Sequence, residues 1–202
     1  MSQNTMSQNT MFQNIMPRIQ KGKIHLIIGP MYAGKTTELL RLKKRAEIAG
    51  QKCLAIKFYK DLRYDEAKLS THDQEKTDAF VSKGNNLKNT VDSVIDLHQY
   101  DSIFIDEIQF YEDGAETCDD LANRGFEVVV SGLQGDFKRK KFGCIPDLIP
   151  LVEKITHLTA VDSRTGGDAA FTARLTDETA QEVIGGKETY IAVDRFHYME
   201  IN

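Results

Sequence analysis

The hydrophobic pattern of the chain alternates between short, continuous apolar runs and longer amphipathic stretches. Continuous apolar runs are typical of strands that are buried on both faces of a parallel sheet. Because such runs alternate with stretches of helical spacing, the pattern predicts an α/β fold with right-handed crossover connections. The predicted strands lie at 24–28, 52–58, 102–105, 127–131 and 155–161.

Helical spacing occupies segments between these strands. Residues 35–49 place apolar side chains on one face, and Gly50 follows in the position that commonly ends a helix. A second helix-compatible stretch covers 90–99, and a short helix is predicted to end at Gly125. The first strand, helix and second strand therefore form one β-α-β unit.

The two ends of the chain differ from its middle. Residues 1–20 repeat a polar MSQNT-like unit that cannot bury a core, which predicts a disordered tail rather than a secretory signal. After residue 161 the chain is polar and rich in glycine, with short strand-like pieces at 170–175 and 189–196. We therefore expect a main domain over 21–161 and a small second lobe over 162–202.

Composition narrows the class of protein. Apolar residues make up 41% of the chain and charged residues 28%, and no apolar run has the roughly 18 to 20 residues of a membrane span. The 26 basic and 30 acidic residues give a net charge of −4, which argues against a general nucleic-acid partner. Its cysteines, Cys53, Cys118 and Cys144, form no CxxC pair and indicate a reducing, cytoplasmic compartment.

A phosphate-binding loop follows the first predicted strand. The sequence GPMYAGKT at 29–36 has the spacing in which backbone N–H groups and a helix N-terminus surround phosphate oxygens. Lys35 would add a charge near the outer phosphates, and the Thr36 hydroxyl would bind Mg²⁺. The alternative is a glycine-rich turn that binds nothing. The predicted ATP-binding residues of this loop are Gly29, Pro30, Met31, Tyr32, Ala33, Gly34, Lys35, Thr36 and Thr37.

Two adjacent carboxylates, Asp106 and Glu107, follow the apolar run at 102–105. Ligands of parallel α/β sheets bind at the carboxyl ends of the strands, where these two side chains would lie. Asp106 suits the acid that faces Mg²⁺, together with Thr36, and Glu107 remains for proton abstraction. The alternatives are a carboxylate pair that only caps a surface strand, or a motor or helicase ATPase, which carries similar motifs.

Further segments resemble the type II, cytosolic-type thymidine kinase family over nearly all of 22–202. The resemblance implies a phosphate-binding-loop sheet of RecA-like strand order with a small lasso or zinc-ribbon-like C-terminal lobe. It also implies transfer of the γ-phosphate of ATP to the 5′-hydroxyl of thymidine. The matching segments are 29–42, 52–64, 71–73, 106–110, 135–143, 158–161 and 183–186, followed by Tyr190.

The resemblance also implies roles for individual residues. Glu107 matches the catalytic base, Lys35 and Arg63 match groups that act on the phosphates, and Phe137 matches a ring that stacks on the pyrimidine. Taken by themselves, Arg63 could be a solvated surface arginine and Phe137 a core residue. The further ATP-binding matches are Asp61, Leu62, Arg63, Asp106, Glu107, Ile108 and Gln109. The nucleoside-binding matches are Met31, Phe110, Leu133, Phe137, Thr172, Gln181, Glu182, Val183, Ile184, Gly185 and Tyr190.

Several properties of the whole protein follow only from the resemblance. They are inhibition by the end product dTTP and assembly as a homotetramer, whereas ATP with Mg²⁺ as the donor is implied by the phosphate-binding loop itself. An apolar pocket for the 5-methyl group discriminates by only about 1 to 3 kcal/mol, so deoxyuridine should be tolerated. Neither nucleic acid nor membrane is expected as a partner.

The chain departs from the family where zinc commonly holds the small lobe. The matching positions carry Asp162, Thr165, Asp194 and His197 instead of cysteines, a poor set for structural zinc, so zinc is not expected. We expect crossed salt bridges from Asp162 to Arg195 and from Asp194 to Arg164 in its place. Two further departures, Gln134 and Lys141, lie beside the predicted base pocket.

Three functions stay open from the sequence: a thymidine kinase, an ATPase of the motor or helicase type, and a catalytically silent nucleoside-binding module. A motor would use water as the acceptor and respond to nucleic acid, yet the chain has no basic stripe. Intact Lys35, Arg63 and Glu107 argue against a silent module.

Overall fold

The computed structural model describes residues 22–59, 68–70, 76–183 and 185–201. The predicted tail at 1–20 lies outside the described residues. So do four predicted site residues, Asp61, Leu62, Arg63 and Ile184.

The described chain folds as strands and helices that alternate through its first two thirds. None of its helices has the length and apolar character that crossing a membrane requires. The strands are β1 (Lys23–Gly29), β2 (Cys53–Lys57), β3 (Lys68–Ser70), β4 (Lys76–Asp78), β5 (Phe80–Val81), β6 (Ser102–Ile105), β7 (Glu127–Leu133), β8 (Lys154–His157), β9 (Ala160–Val161), β10 (Asp168–Ala169), β11 (Phe171–Arg174) and β12 (Tyr190–Val193). The helices are α1 (Lys35–Ile48), α2 (Leu87–Asp92), α3 (Gly114–Asn123), α4 (Ile145–Leu148) and α5 (Arg195–Ile201).

A six-stranded sheet of order β5-β2-β6-β7-β1-β8 forms the centre of the described fold, and all of its pairings are parallel. The predicted parallel α/β fold is therefore confirmed. With the short edge strand β5 set aside, β1 lies between β7 and β8, and β6 and β2 follow β7, which is the predicted RecA-like order. The carboxyl ends of β1, β6 and β7 consequently meet at one edge of the sheet.

The central strands β1, β2, β6 and β7 are buried on both faces, as their continuous apolar runs predict, whereas the edge strand β8 is largely exposed. In β6, Ile103 and Ile105 contribute to one core and Phe104 to the other, because successive side chains point to opposite faces. Helix α1 covers the Phe104 face through Leu39, and α3 covers the opposite face through Leu121. Each fully buried side chain of this size stabilises the fold by about 1.5 to 3 kcal/mol. This burial holds the strand ends in place.

Helix α1 begins directly after Gly34, which has the left-handed backbone (φ 78°) that glycine adopts without strain. It ends at Ile48, one residue before the predicted end, and Gly50 follows with φ 83°. The helix therefore starts where the phosphate-binding loop ends.

The predicted helix at 90–99 differs from the structure. Helix α2 begins earlier, at Leu87, because the Asn86 side chain accepts a hydrogen bond from the Asn89 N–H (2.7 Å) and caps the helix. It ends at Asp92, and a separate turn of 3₁₀ helix covers 97–99. Apolar spacing missed the polar cap that sets the boundary.

The predicted strand at 155–161 is two strands in the structure. Its first half is β8, which pairs with β1, whereas Ala160 and Val161 form β9, which pairs with β10. The chain therefore leaves the main sheet within this run, and the elements from β9 to α5, here called the small lobe, lie outside that sheet. The lobe also contains the β11–β12 pair and α5, a helix that the sequence did not predict.

Candidate active site

The loop between β1 and α1 has little room for other residues. A Cβ atom on Gly29 would lie 2.5 Å from the Leu158 carbonyl oxygen, so the first glycine of the motif is sterically required. Tyr32 adopts a left-handed backbone (φ 65°), and the Lys35 ammonium donates a hydrogen bond to the Pro30 carbonyl (2.7 Å). Lys35 therefore lies back over the loop.

Asp106 is buried at the carboxyl end of β6, with an exposed fraction of 3%. One carboxylate oxygen accepts a hydrogen bond from the Thr36 hydroxyl (2.8 Å), and the other accepts from the Ser131 hydroxyl and the Glu107 N–H (3.1 Å). The predicted pair of Thr36 and Asp106 is therefore in contact. A hydroxyl and a carboxylate are oxygen ligands of the kind Mg²⁺ prefers, so these residues fit that ion.

Ser131 is a site residue that the sequence did not reveal. It lies in β7, next to β6, and Val130 of β7 pairs with Ile105 of β6. Its hydroxyl donates to the Asp106 carboxylate and is fully buried. A polar residue within an apolar run, beside the predicted Asp106 strand, was the signal that could have identified it.

Glu107 has a left-handed backbone (φ 55°, ψ 46°), a conformation that costs a residue other than glycine about 1 to 3 kcal/mol. Its carboxylate accepts a hydrogen bond from the side-chain amide of Gln109 (2.6 Å). The Gln109 oxygen in turn accepts from the N–H of Leu133 (3.0 Å) at the end of β7. Gln109 is buried and thus orients the Glu107 carboxylate against the sheet edge.

The other predicted residues of the loop and of the Asp106 segment have different surroundings. The N–H of Met31 donates to the Thr172 hydroxyl (2.9 Å), which connects the phosphate-binding loop to β11 of the small lobe. Ala33 packs against a cluster of buried alanines in that lobe. Ile108 is fully buried in the core below Gln109, and Thr37 is exposed on α1.

Three of the predicted nucleoside-binding residues, Phe137, Gln181 and Tyr190, lie around Arg174. The Arg174 guanidinium lies 3.6 Å from the centre of the half-buried Phe137 ring, and it donates to the Tyr190 hydroxyl (2.7 Å). That hydroxyl donates to the carbonyl of Val183 (2.9 Å). Gln181 contacts the loop after β7 through the Asp136 carboxylate (2.8 Å). The sequence did not point to Arg174.

The remaining predicted positions differ in their surroundings. Phe110 stacks on Phe58 (4.9 Å between ring centres) and is partly buried beside the core. Glu182 is exposed, and a side chain at Gly185 would collide with Thr189. Gln134 donates to the Ala170 carbonyl (2.5 Å) and so ties the end of β7 to the small lobe.

The expected crossed salt bridges in the small lobe are wrong. Asp162 does not pair with Arg195, and Asp194 does not pair with Arg164, although all four residues are described. Arg164 pairs with Glu200 instead, and the Arg195 guanidinium lies over an aromatic ring. The physical reason is that Asp162 is fully buried, while both arginines keep their charged groups at the surface.

His197 takes the place of an arginine at Asp162. Its ring nitrogen lies 2.9 Å from the carboxylate, which also accepts from the N–H groups of Arg164 (2.9 Å) and Asp194 (2.8 Å). Burial by itself would raise the pKa of Asp162, but these hydrogen bonds outweigh it and lower that pKa to about 2. Within the described ranges, no cluster of three or more histidine, cysteine or carboxylate side chains could hold a metal ion.

Comparison with known proteins identifies the family of the chain. A family model described as thymidine kinase matches residues 22–198. The chain is 44% identical over 183 residues to a thymidine kinase of Yaba monkey tumor virus, covering 91% of this chain and 98% of the relative. It is 41% identical over 184 residues to the human cytosolic thymidine kinase, covering 91% and 76%. It is also 43% identical over 182 residues to thymidine kinase 1 of Dictyostelium discoideum, covering 88% and 78%. The resemblance seen in the motifs is thus confirmed, and the chain belongs to the thymidine kinase family.

Proposed function

We propose that this protein transfers the γ-phosphoryl group of ATP to the 5′-hydroxyl of thymidine, giving dTMP and ADP. The observation that carries the proposal is the pair of carboxylates at the end of β6, which are divided between two tasks. The Asp106 carboxylate contacts the Thr36 hydroxyl (2.8 Å), whereas the Glu107 carboxylate contacts the side-chain amide of Gln109 (2.6 Å). One acid is therefore available for the donor and the other for the acceptor.

On the donor side, the loop N–H groups, Lys35 and the start of α1 hold the triphosphate. Thr36 and Asp106 would hold Mg²⁺, which neutralises charge on the phosphate oxygens when bound. Arg63 would add a guanidinium that stabilises charge on the transferred group. Asp61 and Leu62 are the other ATP-binding residues that we propose for that segment.

On the acceptor side, Glu107 accepts the proton of the 5′-hydroxyl as its oxygen attacks the γ-phosphorus. The bond between that phosphorus and the β–γ bridging oxygen breaks, and ADP departs with the electron pair. The carboxylate needs a fixed direction for this role. The hydrogen bond from Gln109 supplies that direction, because it engages one carboxylate oxygen (2.6 Å).

The nucleoside would lie between the main sheet and the small lobe. Met31, Leu133 and Thr172 would surround the 5-methyl group, and Phe137 would stack on the base. Main-chain groups of 181–185 would bind the base edge, with Tyr190 near the deoxyribose. We further propose tolerance of deoxyuridine, inhibition by dTTP in the same pocket, a homotetramer, and a cytosolic location.

The test is release of ADP from ATP and Mg²⁺, measured with no acceptor, with thymidine, with deoxycytidine and with single-stranded DNA. We expect release only with thymidine. Release with no acceptor that rises with DNA would support a motor instead, and no release under any condition would support a silent module.

Glu107→Gln tests the base. It should lower kcat by about 100-fold or more, because general base catalysis contributes about 10²- to 10⁴-fold, while thymidine affinity stays within about twofold. The matched control is Glu116→Gln, at an exposed glutamate of α3. An unchanged kcat for Glu107→Gln would remove Glu107 from this role.

A further inference from the structure

Arg174 is a buried charged residue that the proposed mechanism does not use. It ends β11 and has an exposed fraction of 5%. A guanidinium withdrawn from water is strongly destabilising unless its donors are satisfied. Its surroundings compensate at the two terminal nitrogens, whereas the buried Nε has no hydrogen-bond partner among the described residues. The partners of the terminal nitrogens therefore define what the residue does.

The acceptors of Arg174 lie mostly in the segment 178–181, part of the loop that would cover the nucleoside. One terminal nitrogen donates to the carbonyls of Glu178 (2.7 Å) and Ala180 (2.5 Å), and the other donates to the carbonyl of Gln181 (3.1 Å). These carbonyls belong to irregular backbone without strand or helix pairing of its own. The guanidinium therefore takes over the role that regular pairing plays elsewhere in the chain.

The same guanidinium also contacts two of the three aromatic residues of the predicted acceptor site, Phe137 and Tyr190. It lies 3.6 Å from the centre of the Phe137 ring and 5.2 Å from that of Tyr190. It donates to the Tyr190 hydroxyl (2.7 Å), and that hydroxyl extends the network to the Val183 carbonyl (2.9 Å). One side chain thus joins the loop, the strand β12 and the base-stacking ring.

We propose that Arg174 is a positioning residue that holds the covering loop and the Phe137 ring in their nucleoside-binding arrangement before the nucleoside arrives. This inference rests on the proposed function. A loop ordered in advance loses less conformational freedom on binding, so its ligand binds more tightly. The effect should therefore appear in the KM for thymidine and not in that for ATP, whose loop is built from β1 and α1.

Lysine cannot replace Arg174 in this role. A planar guanidinium directs donors along fixed directions and stacks flat on a ring, whereas an ammonium is a compact point charge. Arg174→Lys keeps the positive charge but loses the planar arrangement of donors, so it should not restore thymidine binding. Failure of the lysine variant separates a geometric role from a simple need for positive charge.

The experiment compares Arg174→Met and Arg174→Lys in the full chain, by steady-state kinetics and by thermal unfolding. The matched control is Arg124→Met, at an exposed arginine that pairs with Asp120 (3.3 Å) and lies 5.6 Å from the Phe126 ring. We expect both Arg174 variants to raise the thymidine KM by about 10- to 100-fold, with the ATP KM and kcat within about threefold. The control should leave all three constants within about twofold.

Two results would overturn the proposal. One is an unchanged thymidine KM in folded Arg174 variants. The other is a fall in kcat in proportion to the fraction of protein that is unfolded, because a purely structural role produces that result. If the Arg174 variants do not fold, Tyr190→Phe, which removes the hydroxyl between Arg174 and Val183, decides. Because Tyr190 itself is proposed to lie near the deoxyribose, the readout for this variant is amide hydrogen exchange over 178–183 without nucleoside. We expect exchange about threefold faster or more than in the wild-type protein, and unchanged exchange would contradict the inference.

Amide hydrogen exchange separates this inference from the proposed function. Without any nucleoside, exchange over 178–183 should be about tenfold faster or more in Arg174→Met than in the wild-type protein. Faster exchange in an enzyme that does not phosphorylate thymidine would refute the proposed function and keep the loop-holding role. Equal exchange in the two proteins would refute that role, whatever the enzyme phosphorylates.

Discussion

Gln109→Met tests whether the direction of the Glu107 carboxylate controls turnover. Methionine has nearly the length and volume of glutamine, but it lacks both the amide donor and the carbonyl acceptor. The change therefore removes the 2.6 Å hydrogen bond to Glu107 and the 3.0 Å hydrogen bond from the Leu133 N–H without opening a large cavity. Packing against buried Ile108 would be largely retained.

The expected size of the effect follows from these two contacts. A hydrogen bond to a charged group contributes about 1.5 to 3 kcal/mol, which corresponds to about a 10- to 150-fold lower kcat if the bond acts in the transition state. The Leu133 N–H would lose its acceptor, so the free energy of unfolding should fall by about 1 to 3 kcal/mol. The two consequences are measured separately.

The assay is a double-mutant comparison of kcat with thymidine and ATP, together with urea unfolding. If Gln109 acts through Glu107, Gln109→Met should have little further effect on kcat in a Glu107→Gln protein. Gln99→Met is the matched control, because Gln99 is exposed on the 3₁₀ turn at 97–99. Equal losses of kcat in both backgrounds would refute the reasoning, since Gln109 would then act independently of Glu107.

Two further predictions concern the glycine below Gln109 and the buried carboxylate of the small lobe. A Cβ atom at Gly132 would lie 2.7 Å from the Gln109 side-chain oxygen and 2.9 Å from Ile108. Gly132→Ala should therefore lower kcat, and it should lower the free energy of unfolding by about 1 to 3 kcal/mol. Urea unfolding and steady-state kinetics of Gly132→Ala measure the two effects. A stability and a kcat equal to those of the wild-type protein would contradict this prediction, because the neighbouring side chains would then have moved to accept the methyl group. Because the pKa of Asp162 is lowered to about 2, its ionised form stabilises the fold above about pH 4, and this contribution is lost as pH falls toward 2. The free energy of unfolding of Asp162→Asn should therefore be about 1 to 3 kcal/mol lower than that of the wild-type protein near neutral pH. This difference in stability should become smaller below about pH 4. A difference that does not change with pH in thermal unfolding would contradict the prediction.

Local regularities of the sequence determined the central fold. The apolar run at 102–105 is strand β6 to the residue, and residues 35–48 form the helix that their spacing predicts. These elements depend on side-chain periodicity and backbone sterics over a few residues, which the sequence displays directly. The phosphate-binding loop is also visible in the sequence through its spacing, and Gly34 is required by its left-handed backbone, although the steric need for Gly29 comes from the distant carbonyl of Leu158.

Pairing across the sheet edge was also within reach of the sequence. Thr36 and Asp106 are far apart in the chain, yet each follows the end of a parallel strand, and such ends meet at one edge. Their contact at 2.8 Å follows from that rule and from β1 and β6 both pairing with β7. Where topology forces two positions together, the sequence is enough.

Only the tertiary structure decided which partners the polar side chains of the small lobe take. Asp162 pairs with His197 and not with an arginine. Its carboxylate is buried, and there it contacts the His197 imidazole and backbone N–H groups. Arg174 looks like any strand-end cation in the sequence, but the fold buries it and aims it at the covering loop. The burial and the direction of these side chains arise from packing between segments that no local pattern connects. For that reason the sequence predicted the strands and the phosphate-binding loop, whereas only the assembled structure showed the partners of Asp162 and Arg174.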